Sequence, residues 1–275
     1  MVAGIRIVAT ALVLVGCFFS EAGAQSTTLR DAQRLFYSAR YEAAAALAES
    51  VSDSDTESLA ASELRSSALL FQIRRAFGDP ADKALALKSC AQCRQLTTDF
   101  LAEMAHGQSL ARARLQADPA DEAALFFLGK LNLNYVWLQL GTFGRKTGLS
   151  EYREARRSLE TVLKQNPEHV RARVARAWID YIVDTRMPRG VKWILGGGNK
   201  ARGLLALQQA AGTSADPFSQ AEAAFALWDM QVREKNLPAA VATARGLSRD
   251  FPDNHELAKF LENNDPNARA VVASR

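Results

Sequence analysis

Two cysteines three residues apart, Cys90 and Cys93, are the side chains of this sequence whose types and spacing best suit redox or metal chemistry. In an oxidising compartment this spacing favours a local disulfide. A zinc site needs two more ligands, and the three histidines of the chain are scattered without ligand spacing. Haem attachment needs a histidine where Arg94 stands, and thioredoxin-like chemistry lacks its βαβ context. We therefore predict a disulfide, with no metal and no cofactor.

A glycine-rich run, Gly196-Gly197-Gly198-Asn199-Lys200, precedes a predicted helix and could present backbone N–H groups and an amine to an anion. The run is not a phosphate-binding P-loop, because Ala201 follows the lysine and no strand precedes the glycines. The favoured alternative is a tight connection that folds Trp193 back onto the helices. Asn199 and Lys200 are nevertheless candidate binding residues.

A stretch rich in amide and aromatic residues lies between residues 119 and 184. Asn132, Asn134 and Gln139 interrupt an otherwise apolar helix, where a buried amide costs free energy unless it is hydrogen-bonded. The aromatic residues are mostly expected in the core, but the stretch fits either a ligand groove or a polar network that fixes the segment. The candidate contact residues here are Asn134, Trp137, Arg145, Lys146, Arg171, Trp178, Tyr181 and Asp184.

Two aspartates, Asp180 and Asp184, lie four residues apart and therefore on one helix face. We expect basic partners for them among Arg145, Lys146, Arg171 and Arg173. No Ser-His-Asp or Cys-His arrangement is visible in the sequence. Other pairs of nearby acidic residues are interpreted as solvated charges at the starts of helices. We predict that the chain is not an enzyme.

Helix dominates the elements that must position these residues. The chain is 48% hydrophobic, has only eight prolines and lacks the sustained period-2 alternation of strands, so we predict an all-α fold. Ala155, Leu159, Val162 and Pro167 have the spacing of the second helix of a helical hairpin: the small residue permits close approach, the apolar pair fills the seam and proline ends the helix. The same spacing recurs from Ala240 to Pro252.

Residues 1–24 resemble a secretory signal peptide, with Arg6, an apolar segment and the small residues Ala22-Gly23-Ala24. We therefore predict an exported, periplasmic protein. Lipoprotein processing at Cys17 is the alternative, and only then is membrane attachment expected. Export disfavours nucleic acid as a partner, and the net charge of +4, with basic and acidic residues interleaved, indicates solvated helix faces.

The remaining chain, 25–275, is predicted to be a single helical-repeat domain. Its repeat-like parts are 29–55, 119–184 and 217–252, and its irregular parts are 78–117 and 185–200. Within 78–117 we expect a longer helix through Phe100 and Leu115 that ends at Asp118-Pro119. The hairpin spacing, with the blocks FFLGKLNLNYVWLQLGTFGRKTG and EYREARRSLE and the later GGGNK, resembles exported bacterial tetratricopeptide-repeat (TPR) proteins. The central unit departs from that pattern, with extra residues between Gly129 and Ala155 and Asn132 at the usual aromatic position.

The resemblance implies a TPR-like solenoid of helical hairpins whose concave face binds peptides, proteins or occasionally small molecules, and it implies no catalytic residues. Our first hypothesis is a non-catalytic envelope scaffold that binds a protein or peptide. The alternative is a small-molecule receptor, similar to the helical-repeat periplasmic components linked to TRAP-type solute uptake.

Overall fold

A computed structural model describes residues 26–51, 57–187, 189–213 and 215–265. The signal segment and Cys17 lie outside these residues. No strand occurs within them, which confirms the all-α prediction for this part of the chain. The helices are α1 (Thr27–Tyr37), α2 (Tyr41–Glu49), α3 (Ser58–Phe77), α4 (Lys83–Ser89), α5 (Ala91–Ala117), α6 (Glu122–Val136), α7 (Leu149–Gln165), α8 (Val170–Arg186), α9 (Arg189–Ile194), α10 (Lys200–Gly212), α11 (Pro217–Arg233), α12 (Leu237–Asp250) and α13 (His255–Asn264), with a π-helical segment (Trp137–Thr142) after α6.

Most of these helices begin at a side chain that can accept a hydrogen bond from the first turn. The carboxylate of Asp121 accepts from Ala124 N–H at 2.9 Å at the start of α6. Asp216 accepts from two N–H groups of α11, and Pro217 follows it at the first helical position, where its missing N–H is no loss. The sequence thus fixes these helix boundaries locally.

The helices pair as antiparallel hairpins through contacts of small residues. A Cβ atom on Gly129 of α6 would lie 3.0 Å from Leu159 Cγ and 3.4 Å from the carbonyl oxygen of Ala155 in α7. Ala155, Leu159 and Val162 have no exposed surface. The residues whose spacing predicted a hairpin therefore fill the interface between α6 and α7. Gly203 of α10 makes a similar approach to α8, where its Cβ would lie 2.8 Å from the carbonyl oxygen of Ala177.

Within residues 78–117, the longer helix expected through Phe100 and Leu115 is the 27-residue helix α5, which begins at Ala91. Helix α5 pairs with α3, and a Cβ on Gly107 would lie 2.8 Å from Leu131 of α6. Its buried stripe includes Glu103 and Gly107 beside the apolar residues. Because these two residues carry no apolar signal, the helical period of α5 is weaker in the sequence.

The hairpins are α1 with α2, α3 with α5, α6 with α7, α8 with α10 and α11 with α12. Contacts also link α1 with α3, α3 with α6, α8 with α11 and α11 with α1, and α6 contacts α8 where Arg171 lies over Phe127. We call α1, α3, α6, α8 and α11 the inner helices. The inner helices α3, α6, α8 and α11 run in the same direction. In each neighbouring pair, a contact later in one helix is made to a residue later in the other helix. These contacts are Ser67 with Asn134 and Phe77 with Phe143, Phe127 with Arg171 and Trp137 with Trp178, and Arg171 with Glu222 and Trp178 with Arg233.

The first and last hairpins contact each other. The ring of Tyr37 in α1 stacks 5.4 Å from Phe225 of α11, and its carbonyl oxygen accepts a 2.7 Å hydrogen bond from Asn254 Nδ2. Glu256 of α13 accepts from Arg75 of α3 at 2.9 Å. The inner helices therefore surround a common centre, and α11 returns to α1 rather than leaving an open concave side between them.

Candidate functional site

Four charged side chains from four inner helices meet at the centre of the molecule. Arg171 of α8 donates to Glu222 of α11 at 2.5 Å and to Glu63 of α3 at 2.9 Å. Lys130 of α6 donates to Glu222 at 2.6 Å and lies 3.7 Å from Glu63. The guanidinium of Arg171 also lies 5.0 Å above the ring of Phe126. We call Glu63, Lys130, Arg171 and Glu222 the central charge cluster; its two acids and two bases balance.

Opposite charges in the central charge cluster keep Glu222 and Arg171 ionised despite their burial. Burial alone would raise the pKa of Glu222, but the attraction of Arg171 and Lys130 outweighs it and lowers the pKa to about 2. Burial would likewise lower the pKa of Arg171, and Glu222 and Glu63 together raise it instead. Burial raises the pKa of Tyr37, which lies beside this cluster, well above its ordinary value. Glu222 and Arg171 therefore stay charged near neutral pH and hold α8 and α11 together as an ion pair.

The buried amides of α6 join polar networks. Asn134 donates to the hydroxyls of Ser66 and Ser67 at 3.0 Å, and Ser67 donates to Glu63 of the central charge cluster at 2.9 Å. Asn132, which has no exposed surface, accepts from Gln108 and donates to Glu154, both at 2.8 Å. These contacts correspond to the polar network that we weighed against a ligand groove.

An aromatic surface lies farther along the inner helices. The indole rings of Trp137 and Trp178 meet edge to face at 5.8 Å, and Trp178 meets Tyr181 edge to face at 5.9 Å. Both tryptophans are half-buried, and the exposed Arg233 of α11 places its guanidinium 5.5 Å above the Trp178 ring. We call Trp137, Trp178, Tyr181 and Arg233 the aromatic rim. It brings together three of the predicted binding residues with an arginine that sequence analysis missed.

Hydrogen bonds link the aromatic rim to the glycine-rich connection. Glu234 accepts from the hydroxyl of Tyr181 at 2.8 Å and from the amine of Lys200 at 2.7 Å. Burial, followed by the bond to Glu234, raises the pKa of Tyr181 to about 12. The backbone N–H of Lys200 donates to Asp184 at 2.9 Å, and Asp184 also accepts from Lys192. The pKa of Asp184 is lowered by these two contacts, with Lys192 the stronger.

The glycine-rich connection is held by side chains of the chain itself. The hydroxyl of Tyr152 donates to the carbonyl oxygen of Leu195 at 2.9 Å, and Arg156 donates to the same oxygen and to that of Gly196. Asn199 caps α10 by accepting from Arg202 N–H at 2.8 Å. The anion at the start of α10 is therefore the carboxylate of Asp184, which occupies the position that we considered for an external anion.

Two expectations about this region are wrong. Trp193 does not fold back onto the helices, because 84% of its surface is exposed. Asp180 pairs with Arg202, through both oxygens at 2.9–3.0 Å, and with Arg176 at 3.0 Å, rather than with the basic residues we expected. Arg176 is one turn away in α8 and could have been found from its spacing, whereas the α10 arginine is brought near only by folding.

The other predicted residues divide between different places. Asn134 and Arg171 belong to the centre of the molecule, and Asp184, Asn199 and Lys200 to the glycine-rich connection. Arg145 and Lys146 are exposed, and the guanidinium of Arg145 lies 5.3 Å above the ring of Phe143. No contact among the described residues joins these two side chains to the aromatic rim.

Cys90 and Cys93 form a disulfide at the start of α5.

Two open cavities lie elsewhere. One, of about 290 Å³ between α2, α3 and α5, is bordered by Glu49, Arg65 and Glu103. The other, of about 350 Å³ between α5 and α7, is bordered by polar and charged side chains. Neither cavity is lined by a predicted binding residue.

Within the described residues, no group of three or more histidine, cysteine, aspartate or glutamate side chains is arranged to hold a metal ion. The same part of the chain contains no helix with the length and apolar character needed to span a bilayer. Comparison with protein-family models, curated proteins and solved structures yields no match to this chain. The resemblance to TPR proteins therefore stays a prediction that rests on the hairpin spacing.

Proposed function

We propose that this chain is a non-catalytic, exported helical-repeat protein of TPR-like type that binds a polypeptide segment of an envelope protein through the aromatic rim. The observation that carries the proposal is the pair of half-buried tryptophans in edge-to-face contact, Trp137 after α6 and Trp178 in α8, with the exposed guanidinium of Arg233 over the Trp178 ring. Tryptophan, tyrosine and arginine are the residue types that most often dominate the energy of protein interfaces.

The arrangement of charge supports a polypeptide ligand at the rim rather than along the whole inner surface. The central charge cluster fills the interior between α3, α6, α8 and α11 with paired groups. Binding there would separate buried ion pairs, which is costly. At the rim, the one ion-pair partner of Arg233 among the described residues is Asp229 of its own helix, at 3.1 Å, so Arg233 can reorient toward a ligand without breaking the core.

Selection from a random peptide-display library tests the proposal. We expect the wild-type chain to enrich related peptides, and Arg233→Ala to bind them at least about tenfold more weakly, as expected for a binding hot spot. Trp193→Ala is the matched control, because this tryptophan is highly exposed but lies outside the rim. Failure to enrich any peptide family, or equal losses in the two variants, would contradict the proposal.

Export is tested separately by the mass of the protein recovered from cells. Cleavage after Ala24 leaves a chain that begins at Gln25, whereas lipoprotein processing leaves a lipid-modified Cys17. Recovery of an uncleaved chain from the cytoplasm would contradict the proposed location.

A small-molecule receptor is the second candidate, and the cavity of about 290 Å³ between α2, α3 and α5 favours it. This volume is close to the lower limit for small-molecule sites, and Arg65, Glu49 and Glu103 supply charges of both signs. A thermal-shift screen with polar metabolites tests this function. The variant Ala102→Phe, which fills the cavity from its edge, should abolish any shift without lowering the unfolding temperature of the free protein.

A further inference from the structure

The Cys90–Cys93 disulfide lies at the start of the long helix α5 and presents two unequal sulfur atoms. Cys90 is the N-cap residue of α5, and its Sγ accepts a 3.2 Å hydrogen bond from the backbone N–H of Cys93. Cys90 is partly exposed, whereas Cys93 has no exposed surface. Of the two cysteines, only Cys90 offers any surface to an incoming group.

We propose that this disulfide is redox-active and exchanges with the dithiol of another protein, an activity separate from binding at the aromatic rim. A cysteine at a helix N-terminus is stabilised as a thiolate by the free N–H groups of the first turn and by the helix dipole. The first turn of α5 contains no acidic residue to oppose this stabilisation. When the disulfide is reduced, the N–H that now points at Cys90 Sγ is in place to stabilise the Cys90 thiolate.

A buried hydroxyl near Cys93 is a second, independent observation. The Oγ1 atom of Thr97 is buried and finds no hydrogen-bond partner among the described residues. Thr97 follows Cys93 by four residues on α5, and helical side chains lean toward the preceding turn, so this hydroxyl lies over the turn that carries Cys93. A buried donor without a partner is costly. In the disulfide, Cys93 Sγ does not accept from this hydroxyl. Reduction frees the Cys93 side chain to rotate, so that its sulfur can become the missing acceptor, which favours the reduced form.

The exchange is balanced by the partner dithiol. A thiolate of the partner attacks Cys90 Sγ, the bond between Cys90 and Cys93 breaks, and Cys93 leaves as a thiolate that takes up the proton lost by the partner. The second thiolate of the partner then attacks the mixed disulfide and releases Cys90 as a thiolate. Two electrons pass to the cysteine pair, and the partner dithiol becomes a disulfide.

Equilibration of the full chain with mixtures of reduced and oxidised glutathione tests the proposal. The exchange is then quenched with acid, the chain is unfolded, and the free thiols are alkylated and counted by mass spectrometry. We expect both cysteines to be free thiols when the native protein has equilibrated with a mixture in which millimolar reduced glutathione predominates. Structural disulfides resist reduction by glutathione. A pair that stays oxidised until dithiothreitol is added would overturn the proposal, and this outcome would leave peptide binding at the rim unaffected.

Single variants identify the attacked sulfur. Cys93→Ser should accumulate a mixed disulfide between glutathione and Cys90, whereas Cys90→Ser should form at least about tenfold less adduct, because the sulfur of Cys93 is buried. Circular dichroism checks that both variants fold, and the equilibrium of the wild-type chain decides the question if they do not. Equal adduct formation by both variants would overturn the assignment of Cys90 as the attacked residue.

Thr97→Val tests the role of the buried hydroxyl. We expect it to shift the glutathione equilibrium about fivefold toward the disulfide, the effect of losing one hydrogen bond. Thr98→Val is the matched control, because this neighbouring hydroxyl is exposed and already donates to the carbonyl oxygen of Arg94 at 3.1 Å. An equilibrium unchanged by Thr97→Val, or shifted equally by both variants, would overturn the role of Thr97.

Discussion

The guanidinium of Arg171 lies 2.9 Å from the carboxylate of Glu63, although 108 positions separate the two residues in the sequence. This bond ties α8 to α3 across the interior, and the bonds to Glu222 extend the tie to α11. The first and last thirds of the chain are thus joined by charge at the centre as well as by aromatic packing between α1 and α11.

Loss of Arg171 should destabilise the fold strongly. Arg171→Met keeps much of the side-chain volume but leaves the carboxylates of Glu63 and Glu222 buried with too little positive charge. We expect the free energy of unfolding to fall by roughly 3–5 kcal/mol in urea denaturation. Arg173→Met, which breaks a pair with the exposed Glu168, is the control and should cost less than about 1 kcal/mol. Similar losses in both variants would contradict a special role for the central charge cluster.

Stability should decrease in acid because of Glu222. Its pKa is about 2 in the folded protein and 4.5 ordinarily, so the unfolded chain binds more protons between these values. The contribution of Glu222 to the free energy of unfolding is therefore complete above about pH 4.5 and is lost as the pH falls toward 2. This contribution is on the order of 3 kcal/mol. Urea unfolding at several pH values measures the slope. Glu222→Gln should flatten it in this window, and an unchanged slope would contradict the assignment.

The approach of α10 to α8 should tolerate no side chain at Gly203. In Gly203→Ala the new Cβ would lie 2.8 Å from the carbonyl oxygen of Ala177, and separation of the two helices should cost about 1–3 kcal/mol in thermal or chemical unfolding. Gly212→Ala, at the end of the same helix, meets no atom within 4 Å and should leave stability unchanged or raise it by up to about 1 kcal/mol. Equal effects would show that helix propensity, not packing, decides both positions.

Contact between the chain ends should protect them from hydrogen exchange. Tyr37→Ala removes ring contacts with Phe225 and Phe251 and should lower stability by about 3–5 kcal/mol. Exchange measured by mass spectrometry should accelerate first in α1 and at the end of α12, where the Tyr37 ring contacts Phe251, and least in the α6–α7 hairpin. Uniform acceleration along the chain would show that the ends do not form a separable contact.

The sequence determined the local features of this protein. Capping residues such as Asp121 and Asp216 set helix starts, and the small residues Gly129 and Ala155 set the packing of a hairpin, because these effects depend on neighbours within a few turns. The helical class and most helix boundaries could therefore be predicted. The longer helix before Asp118 could be predicted too, although the buried stripe of α5 includes Glu103 and Gly107, which carry no apolar signal.

Only the tertiary structure decided which distant residues meet. Glu63, Lys130 and Glu222 gave no signal in the sequence, since charged residues on helices are usually solvated and only the meeting of α3, α6, α8 and α11 buries them together. The predicted site residues lie in different places for the same reason. Trp137, Trp178 and Tyr181 contact one another, whereas Arg171 lies at the centre of the molecule and Arg145 lies at its surface. Helical spacing specifies which face of its helix a residue occupies. Which other helix packs against that face depends on how the hairpins pack together in the folded protein.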